Sequence, residues 1–342
     1  MTDSELFNHA TRQKVAFLRR PDSYPEGPSR VEVKETHMSW VFLTDRRAYK
    51  LKKPVRYDFL DFSTIDARRR DCQEEVRLNR RLAPDVYLGS VRLTVEEDGR
   101  LGLDGAGTAI DWLVKMVRLP QGRMLDELVQ ARRVEDADLH ALVRRLVRFY
   151  EQAPREVLSP DAYRARLGRD VTAIHSELID TAYDLPAELA ARLRDAQLEC
   201  LRRDAPLFDA RVEQGRIVEG HGDLRPEHVC LTAEPVIIDC LEFNREFRIL
   251  DTADELAFLA VECERLGDPG TGERLLALYR ELGGDHPPDP LMHFYSSYRA
   301  ALRAKLAIWH TRDHEVPDHP KWRAKALAYL ELAERHVRLI QR

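Results

Sequence analysis

Cysteines and long apolar runs are both scarce in this sequence. Its five cysteines are odd in number and lack the spacing of a metal site, which argues against a disulfide framework or a zinc module. No apolar run approaches the roughly 18 residues of a membrane span, and the first residues lack the basic and then apolar pattern of a signal peptide. We therefore expect a cytoplasmic protein with reduced thiols and no membrane partner.

Basic residues are not in excess either. The formal net charge of −5 over 342 residues gives no reason to expect a nucleic-acid partner. With 44% hydrophobic and 33% charged residues, the composition is typical of a globular protein with one large or two modest domains. An acidic protein that binds an anionic ligand would need metal ions and a few local basic residues.

Short strands and one helix are predicted in the first third of the chain. Runs of apolar and polar residues at 31–34, 40–43 and 48–53 predict an antiparallel meander, and two further strands are predicted near 91–94 and 111–117. In the third strand Lys50 and Lys52 alternate with apolar residues, so both amines project from one face. They are either solubilising charges or a binding site for an anion.

A helix is predicted between the third and fourth of these strands. Ser63 to Asp66 resembles a capping box, and an apolar pair at Leu78 and Leu82 supports a helix that runs to about Leu82. The later part of the chain is mostly helical. It includes an apolar stripe between Leu139 and Tyr150 and four helices after residue 250.

The stretch 216–242 carries the strongest signal for chemistry. Two short apolar runs at 229–231 and 236–238 flank a turn and predict a hairpin. Asp223 lies in the polar loop before the first run, and Asp239 follows the second. One acid that accepts a hydroxyl proton and a second that holds a metal are what phosphoryl transfer needs.

The string Asp223-Leu-Arg-Pro-Glu-His228 closely resembles the catalytic loop of protein kinases and of the aminoglycoside and choline kinases that share their fold. Together with the preceding Gly220-His-Gly, this string resembles the motif of a bacterial subgroup whose members are often fused to a phosphate-loop ATPase. No Ala-Pro-Glu segment follows Asp239, which argues against a conventional protein kinase. The resemblance implies an α+β, two-lobed fold, with a sheet-containing lobe at 1–118 and a mostly helical lobe at 119–342.

The resemblance also implies roles for individual residues. Lys52, or alternatively Lys50, would hold the α- and β-phosphates of ATP, and a glutamate of the predicted helix would orient that lysine. Glu75 is favoured for this, with Glu74 as the close competitor. Asp223 would deprotonate the acceptor hydroxyl, and Arg225 would neutralise the transferring phosphoryl group. Metal would be carried by three residues, Asp239, His228 and Glu242.

Three departures from the kinase pattern bear on these roles. His228 replaces the usual Asn, so either a softer imidazole ligand favours Mn²⁺ over Mg²⁺ or the histidine only hydrogen-bonds the loop. Cys240 replaces the glycine after the metal-binding Asp, and Glu242 could add a carboxylate ligand. The segment 35–39 contains no glycine, so His37 and Ser39 would have to replace backbone amides over the phosphates.

The predicted function is ATP-dependent phosphorylation of a hydroxyl on a small molecule whose identity the sequence does not give. Two alternatives stay open, a regulatory pseudokinase that binds nucleotide without turnover and a kinase or adenylyltransferase that modifies proteins. Basic residues at Arg299, Arg303 and Lys305 argue against a polycationic drug as the acceptor. The oligomeric state is not predicted.

Overall fold

The computed structural model of the chain describes residues 3–57, 60–312 and 319–340. The first 121 residues contain most of the strands and two helices. In chain order these are α1 (Asp3–Leu18), β1 (Glu32–Glu35), β2 (Ser39–Leu43), β3 (Arg47–Lys52), β4 (Arg56–Tyr57), β5 (Leu60–Asp61), α2 (Ile65–Asn79), β6 (Tyr87–Val95), β7 (Leu101–Leu103) and β8 (Thr108–Val117).

Six of these strands form one antiparallel sheet in the order β1-β2-β3-β8-β6-β7. The predicted meander is confirmed, since β1 pairs with β2 and β2 with β3. Strand β7 was not predicted, because its three residues lie in a glycine-rich segment that reads as a turn. Side chains alternate across the sheet, so that Tyr49 and Leu51 pack on one face while Val114 and Met116 pack with α2 on the other.

Helix α2 differs from its prediction at both ends. Thr64 is the N-cap, and its hydroxyl accepts a hydrogen bond from the Ala67 N–H at 3.1 Å. Ser63 does not cap the helix, because its hydroxyl donates to Asp61 at 2.6 Å instead. The helix ends at Asn79 rather than near Leu82.

The middle of the chain is helical. Its elements are α3 (Leu125–Gln130), α4 (Asp136–Gln152), α5 (Pro160–Leu178), α6 (Ala187–Arg203) and α7 (Ala205–Glu213). The apolar stripe predicted on α4 is confirmed, because Leu139, Leu142, Leu146 and Tyr150 are all buried. This burial is what stabilises an amphipathic helix in a globular protein.

Short strands and a 3₁₀ turn then surround the Asp223 loop. The strands are β9 (Ile217–Glu219), β10 (Val229–Cys230), β11 (Val236–Ile237) and β12 (Ile249–Asp251), and the 3₁₀ turn spans Pro226–His228. Strands β9 and β12 pair antiparallel at the two ends of the segment.

Four longer helices complete the chain: α8 (Thr252–Arg265), α9 (Pro269–Gly283), α10 (Asp289–Trp309) and α11 (His319–Ile340). They fall close to the four predicted helices. Helix α10 packs against α8 and α11, and the 3₁₀ turn packs against α8. Across the described parts of the chain, no helix combines the length and the apolar character needed to cross a membrane.

The chain divides into two compact units. The first consists of Met1–Gln121 together with Val236–Arg245, and the second of Gly122–Pro235 together with Glu246–Arg342. The first unit therefore contains the six-stranded sheet and Asp239, and the second contains the Asp223 loop and helices α3 to α11.

Candidate active site

Both lysines of β3 lie among carboxylates in the first unit. The Lys50 amine lies 3.0 Å from Glu75 Oε1 and 2.7 Å from Asp239 Oδ1. The Lys52 amine lies 2.6 Å from Glu75 Oε2 and 2.6 Å from Asp71 Oδ2, and it also contacts Glu242. We call these six residues the β3 lysine cluster.

The two lysines differ in their access to a ligand. The side chain of Lys52 is 1% exposed and that of Lys50 is 14% exposed. Burial lowers the pKa of both amines, but the neighbouring carboxylates outweigh it and raise each pKa well above its ordinary value. Both amines are therefore charged at neutral pH, and Lys50 is the more accessible of the two.

Helix α2 presents a polar stripe to this cluster at intervals of four residues. Asp71 and Glu75 contact the lysines, and the Asn79 amide donates to the Glu75 carbonyl at 2.9 Å. Residues four apart lie on one face of a helix. Glu74 points elsewhere and pairs with Arg77 at 2.6 Å on the surface. Of the two adjacent glutamates, Glu75 is thus the one that contacts the strand lysines.

Asp239 has an unusual backbone conformation. Its φ is +63°, in the left-handed region that Asp tolerates better than most residues. The Asp239 N–H donates to the Tyr87 hydroxyl at 3.1 Å, and the following Cys240 N–H donates to Asn79 Oδ1 at 2.9 Å. These bonds hold the turn without the glycine that the kinase pattern has at position 240. The Asp239 side chain is 44% exposed, so its carboxylate can reach a ligand.

The charges in the β3 lysine cluster suit a divalent cation. Two ammonium groups face four carboxylates, which leaves an excess of two negative charges. Hard oxygen donors are the ligands that Mg²⁺ prefers. Asp239 fits this role best, because it is the most exposed of the carboxylates. Glu242 is nearly buried against Lys52, so its predicted role as a metal ligand would require it to leave that lysine.

Three of these carboxylates could form a metal site by distance alone. Oxygens of Asp71, Glu75 and Glu242 all lie within 4.8 Å of one another. The Lys52 amine contacts all three, however, and supplies the positive charge that a cation would bring. We therefore interpret these three carboxylates as the ion-pair partners of the buried Lys52 and not as a metal site.

The glycine-free turn between β1 and β2 is held by Thr36. The Thr36 N–H donates to the Ser39 carbonyl at 2.8 Å, and the Ser39 N–H donates to the Thr36 hydroxyl at 3.0 Å. His37 is exposed at the tip and lies 2.8 Å from the Tyr57 hydroxyl through Nε2. Ser39 is 3% exposed, which leaves His37 as the more accessible of the two predicted phosphate contacts.

In the second unit, Glu255 anchors the loop that carries Asp223. This buried carboxylate accepts hydrogen bonds from the N–H groups of His221 at 2.9 Å and Gly222 at 2.6 Å. Gly222 has a φ of +89°, and a Cβ at Gly220 would lie 2.9 Å from Glu255 Oε2. The two glycines thus allow the backbone to turn and to approach Glu255 closely.

Asp223, Arg225 and His228 form a connected group at the end of this loop. Arg225 Nε lies 2.9 Å from Asp223 Oδ1, and the same guanidinium contacts Glu227. His228 Nδ1 lies 2.8 Å from the Asp223 carbonyl oxygen, and Arg225 Nη2 lies 3.0 Å from His228 Nε2. A carbonyl only accepts and a guanidinium only donates, so in this arrangement His228 Nδ1 donates to the Asp223 carbonyl and Nε2 accepts from Arg225.

This arrangement bears on two predicted roles. The lone pair of His228 that would bind a metal accepts a hydrogen bond from Arg225, so metal binding by His228 would require Arg225 to move. Arg225 contacts three side chains of the loop rather than projecting away from it. Both roles stay predictions.

The carboxyl group of Asp223 is held in its charged form. Burial raises its pKa, but the neighbouring cations, Arg225 foremost and Arg303 after it, outweigh burial and bring the pKa below its ordinary value. A base that is ionised at neutral pH can accept the proton of a hydroxyl group.

Several residues of these two groups were not predicted. Asp71 and Asn79 carry a signal in the sequence, because each is four residues from Glu75 on the predicted helix. Glu255 and Tyr87 carry none, since their contacts join residues that are 34 and 152 positions apart.

The three basic residues of α10 differ in what they contact. Arg299 is buried and pairs with Asp254 at 2.5 Å, so it is a structural residue. Lys305 lies 4.6 Å from the Trp309 ring centroid. Arg303 lies 3.2 Å from Glu262 Oε1 and lowers the pKa of Asp223, so it is the one near the loop.

An antiparallel sheet with a lysine–glutamate pair, followed by a helical region with an Asp-containing loop, defines a protein-kinase-like fold. Three solved structures share it over almost the whole chain. A choline/ethanolamine kinase family protein from Mesorhizobium loti has a TM-score of 0.54 at 15% identity, covering 96% of this chain and 99% of its own. Choline kinase from Cryptosporidium parvum Iowa II has a TM-score of 0.54 at 9% identity and 96% coverage of both chains. The GDP complex of aminoglycoside 2′-phosphotransferase-IIIa has a TM-score of 0.51 at 14% identity, covering 95% of this chain and 98% of its own.

The chain therefore has the fold shared by choline kinases and aminoglycoside phosphotransferases, and the predicted α+β class is confirmed. No protein-family profile matches it. Uncharacterized proteins of Mycobacterium tuberculosis (strain ATCC 25618 / H37Rv) and Mycobacterium bovis (strain ATCC BAA-935 / AF2122/97) are each 33% identical over 312 residues, which make up 90% of this chain. The chain spans 60% of the length of these relatives.

Proposed function

We propose that this chain transfers the γ-phosphoryl group of ATP to a hydroxyl group of a small molecule. The observation that carries the proposal is the pair of contacts from Lys50 to Glu75 and to Asp239. A strand lysine that touches both a helical glutamate and an accessible aspartate is the arrangement that kinases use for nucleotide phosphates. The solved structures of the same fold are named as small-molecule kinases, and one is a GDP complex.

The nucleotide is assigned to the first unit. Lys50 would bind the α- and β-phosphates, and Glu75 would hold its amine in place. Asp239 would hold Mg²⁺, which when bound neutralises charge on the phosphate oxygens. Lys52 would hold the Glu75 carboxylate in place from inside the sheet. We therefore favour Lys50 over Lys52 as the phosphate-binding lysine, because Lys52 is enclosed by three carboxylates.

The acceptor hydroxyl is assigned to Asp223. Its carboxylate would accept the hydroxyl proton while the hydroxyl oxygen forms a bond to the γ-phosphorus. The bond from that phosphorus to the bridging oxygen breaks, and ADP leaves with the electron pair. Arg225 would hold Asp223 in its charged form through the 2.9 Å contact. Charge stabilisation and positioning of this kind are the main catalytic resources in phosphoryl transfer.

The test compares the wild-type protein with Asp223→Asn in an extract of small metabolites supplied with ATP and Mg²⁺. The amide keeps the size of the side chain but loses its charge and its basic oxygen. We expect the wild type to add one phosphate to a metabolite and to release ADP, and the variant to be slower by about 10² to 10⁴-fold. Nucleotide affinity, measured by titration calorimetry, should be unchanged.

The same measurement separates the alternatives. Release of pyrophosphate with transfer of AMP would identify an adenylyltransferase, and labelling of protein instead of metabolites would identify a protein-modifying enzyme. Nucleotide binding without release of ADP under any condition would identify a pseudokinase. Wild-type turnover by Asp223→Asn would contradict the assignment of the base.

A further inference from the structure

Three basic side chains gather where helices α8, α10 and α11 pack near the Asp223 loop. We call Arg265, Arg303 and Lys325 the α11 cation cluster. The guanidinium carbons of Arg265 and Arg303 lie 5.6 Å and 5.7 Å from the ring centroid of Tyr329, which is buried. Lys325 precedes Tyr329 by four residues on α11 and so lies on the same helix face.

The cluster has fewer carboxylates than cations. The buried Glu262 carboxylate serves both arginines, at 2.6 Å from Arg265 and 3.2 Å from Arg303. Lys325 is half-buried, and its amine lies 5.4 Å from the Trp322 ring centroid. Among the residues that the structure describes, no carboxylate forms an ion pair with Lys325 within 4.0 Å.

The surroundings of Lys325 lower the pKa of its amine. This pKa is lowered to about 8, mainly by burial and further by Arg303 and Arg265, while Glu262 and Glu227 oppose the change. Like charges in a partly buried place disfavour the charged form of a lysine. An anion placed here would restore that form and would be attracted by all three cations.

The cluster is also linked to the candidate base. The 3₁₀ turn Pro226–His228 packs against α8, which carries Glu262 and Arg265. Arg303 contributes to lowering the pKa of both Asp223 and Glu227. A ligand that reaches Arg303 and Lys325 would therefore lie close to the carboxylate that takes the hydroxyl proton.

We propose that the acceptor carries an anionic group, a carboxylate or a phosphate, which Arg303 and Lys325 bind beside Asp223. This inference rests on the proposed phosphotransfer to a hydroxyl and adds the chemical class of the acceptor to it. A polycationic acceptor would meet like charges at this cluster and would be repelled.

The first experiment measures anion binding at a single residue without any turnover. The protein is labelled near pH 8 with a limiting amount of an amine-reactive ester, and the modification of each lysine is quantified by peptide mass spectrometry. Inorganic phosphate is the probe, and chloride at equal ionic strength is the control. We expect millimolar phosphate to protect Lys325 and to leave the exposed Lys321 on the same helix unchanged.

Variants assign the protection to the cluster. Arg303→Ala should raise the phosphate concentration for half-protection by roughly tenfold, since one charged hydrogen-bond donor is lost. Arg335→Ala, which removes an exposed arginine from α11, the helix of Lys325, should leave that concentration unchanged. Equal loss of labelling at Lys321 and Lys325, or no protection of Lys325, would overturn the proposal.

The second experiment uses the acceptor that the metabolite screen identifies. We expect an anionic compound, a KM raised at least tenfold by Lys325→Ala with a smaller change in kcat, and restoration of KM by Lys325→Arg. A neutral or cationic acceptor with an unchanged KM would overturn the anion site and leave the kinase function standing. If phosphate protects Lys325 but no screen detects phosphotransfer, the anion site would stand and the proposed kinase function would be overturned.

Discussion

At the scale of single residues, Arg225 decides the charge state of Asp223. The Asp223 side chain is 21% exposed, and its partial burial alone would raise the pKa of the carboxyl above the ordinary value of about 3.9. Arg225 lies 2.9 Å from it and is the largest of the influences that reverse this effect. The resemblance to kinases predicts that Arg225 acts on the phosphoryl group, whereas its contacts indicate that it acts on Asp223, the proposed base.

We therefore predict a shift of the acid limb of activity in Arg225→Ala. In the wild type the pKa of Asp223 is lowered, so the base stays charged at neutral pH and is lost only as the pH falls through that lowered pKa. Without Arg225 the remaining effect of burial raises the pKa. The acid limb of kcat/KM should therefore move to higher pH in this variant.

Arg225→Lys is the matched variant, because it keeps a positive charge near Asp223. Its acid limb should stay closer to that of the wild type, although its rate would fall with the loss of the guanidinium geometry. If Arg225→Ala lowers the rate equally at every pH, Arg225 acts on the phosphoryl group and does not set the charge of the base.

At the scale of secondary structure, α2 is the element that organises the β3 lysine cluster. Its buried face carries Asp71, Glu75 and Asn79. Asp71 contacts Lys52, Glu75 contacts both lysines, and Asn79 contacts the turn that carries Asp239. The exposed face carries Glu74, whose carboxylate pairs with Arg77. Two adjacent glutamates of the same helix thus have opposite surroundings.

This contrast predicts different effects of Glu75→Gln and Glu74→Gln. Glu75 is fully buried between two lysines, and removing one partner of a buried ion pair costs about 3–5 kcal/mol. Glu74 forms an exposed pair, which is worth about 0–1 kcal/mol. Urea unfolding should therefore show a large loss of stability for Glu75→Gln alone, and titration with nucleotide should show a weaker affinity for that variant only.

Some features of α2 and β3 could be predicted from the sequence and others could not. The apolar pair at Leu78 and Leu82 indicates which face of α2 is buried, and that favours Glu75. The end of the helix could not be placed exactly, because the chain past Asn79 continues in tighter turns, with the N–H groups of Arg81 and Leu82 bonded three residues back at 3.2 and 3.1 Å, and local sequence does not mark that transition. Lys50 and Lys52 could not be ranked either, since alternation in a strand places both on one face and only the packing of α2 buries one more than the other.

For the whole molecule, the α+β fold was predicted from the resemblance of residues 223–228 to the kinase catalytic loop, together with strands and helices in the matching order. Local signals located those individual strands and helices, because strand alternation, helix periodicity and turn residues are readable within about ten positions. The contacts that complete the two groups join distant parts of the chain. Glu255 with the Asp223 loop and Tyr87 with Asp239 are examples, and no local pattern predicts them.

The two compact units are not continuous in sequence. The segment Val236–Arg245 belongs to the first compact unit, although it follows more than a hundred residues of the second. It brings Asp239 and Glu242 to β3, where they contact Lys50 and Lys52. The acidic charge of the lysine cluster is therefore supplied partly by a distant stretch of sequence.

The charge of the β3 lysine cluster leads to a prediction about the stability of the whole protein. Four carboxylates and two ammonium groups leave two negative charges in excess, and the triphosphate of ATP would add more. A ligand that binds only the folded state stabilises it by about 2.7 kcal/mol at one hundred times its dissociation constant. ATP with Mg²⁺ should therefore raise the midpoint of thermal unfolding by several degrees, and ATP with a chelator should raise it much less.

Asp239→Ala should abolish the difference between these two conditions. The carboxylate removed is the most exposed of the four, so the metal would lose its proposed ligand while Lys50 keeps its contact with Glu75. Asp98→Ala, which removes an exposed carboxylate from a surface pair, is the control and should keep the wild-type response. An undiminished effect of Mg²⁺ in Asp239→Ala would place the metal elsewhere. Glu242 and His228 would then be the next ligands to test, since each would have to exchange a basic partner for the cation.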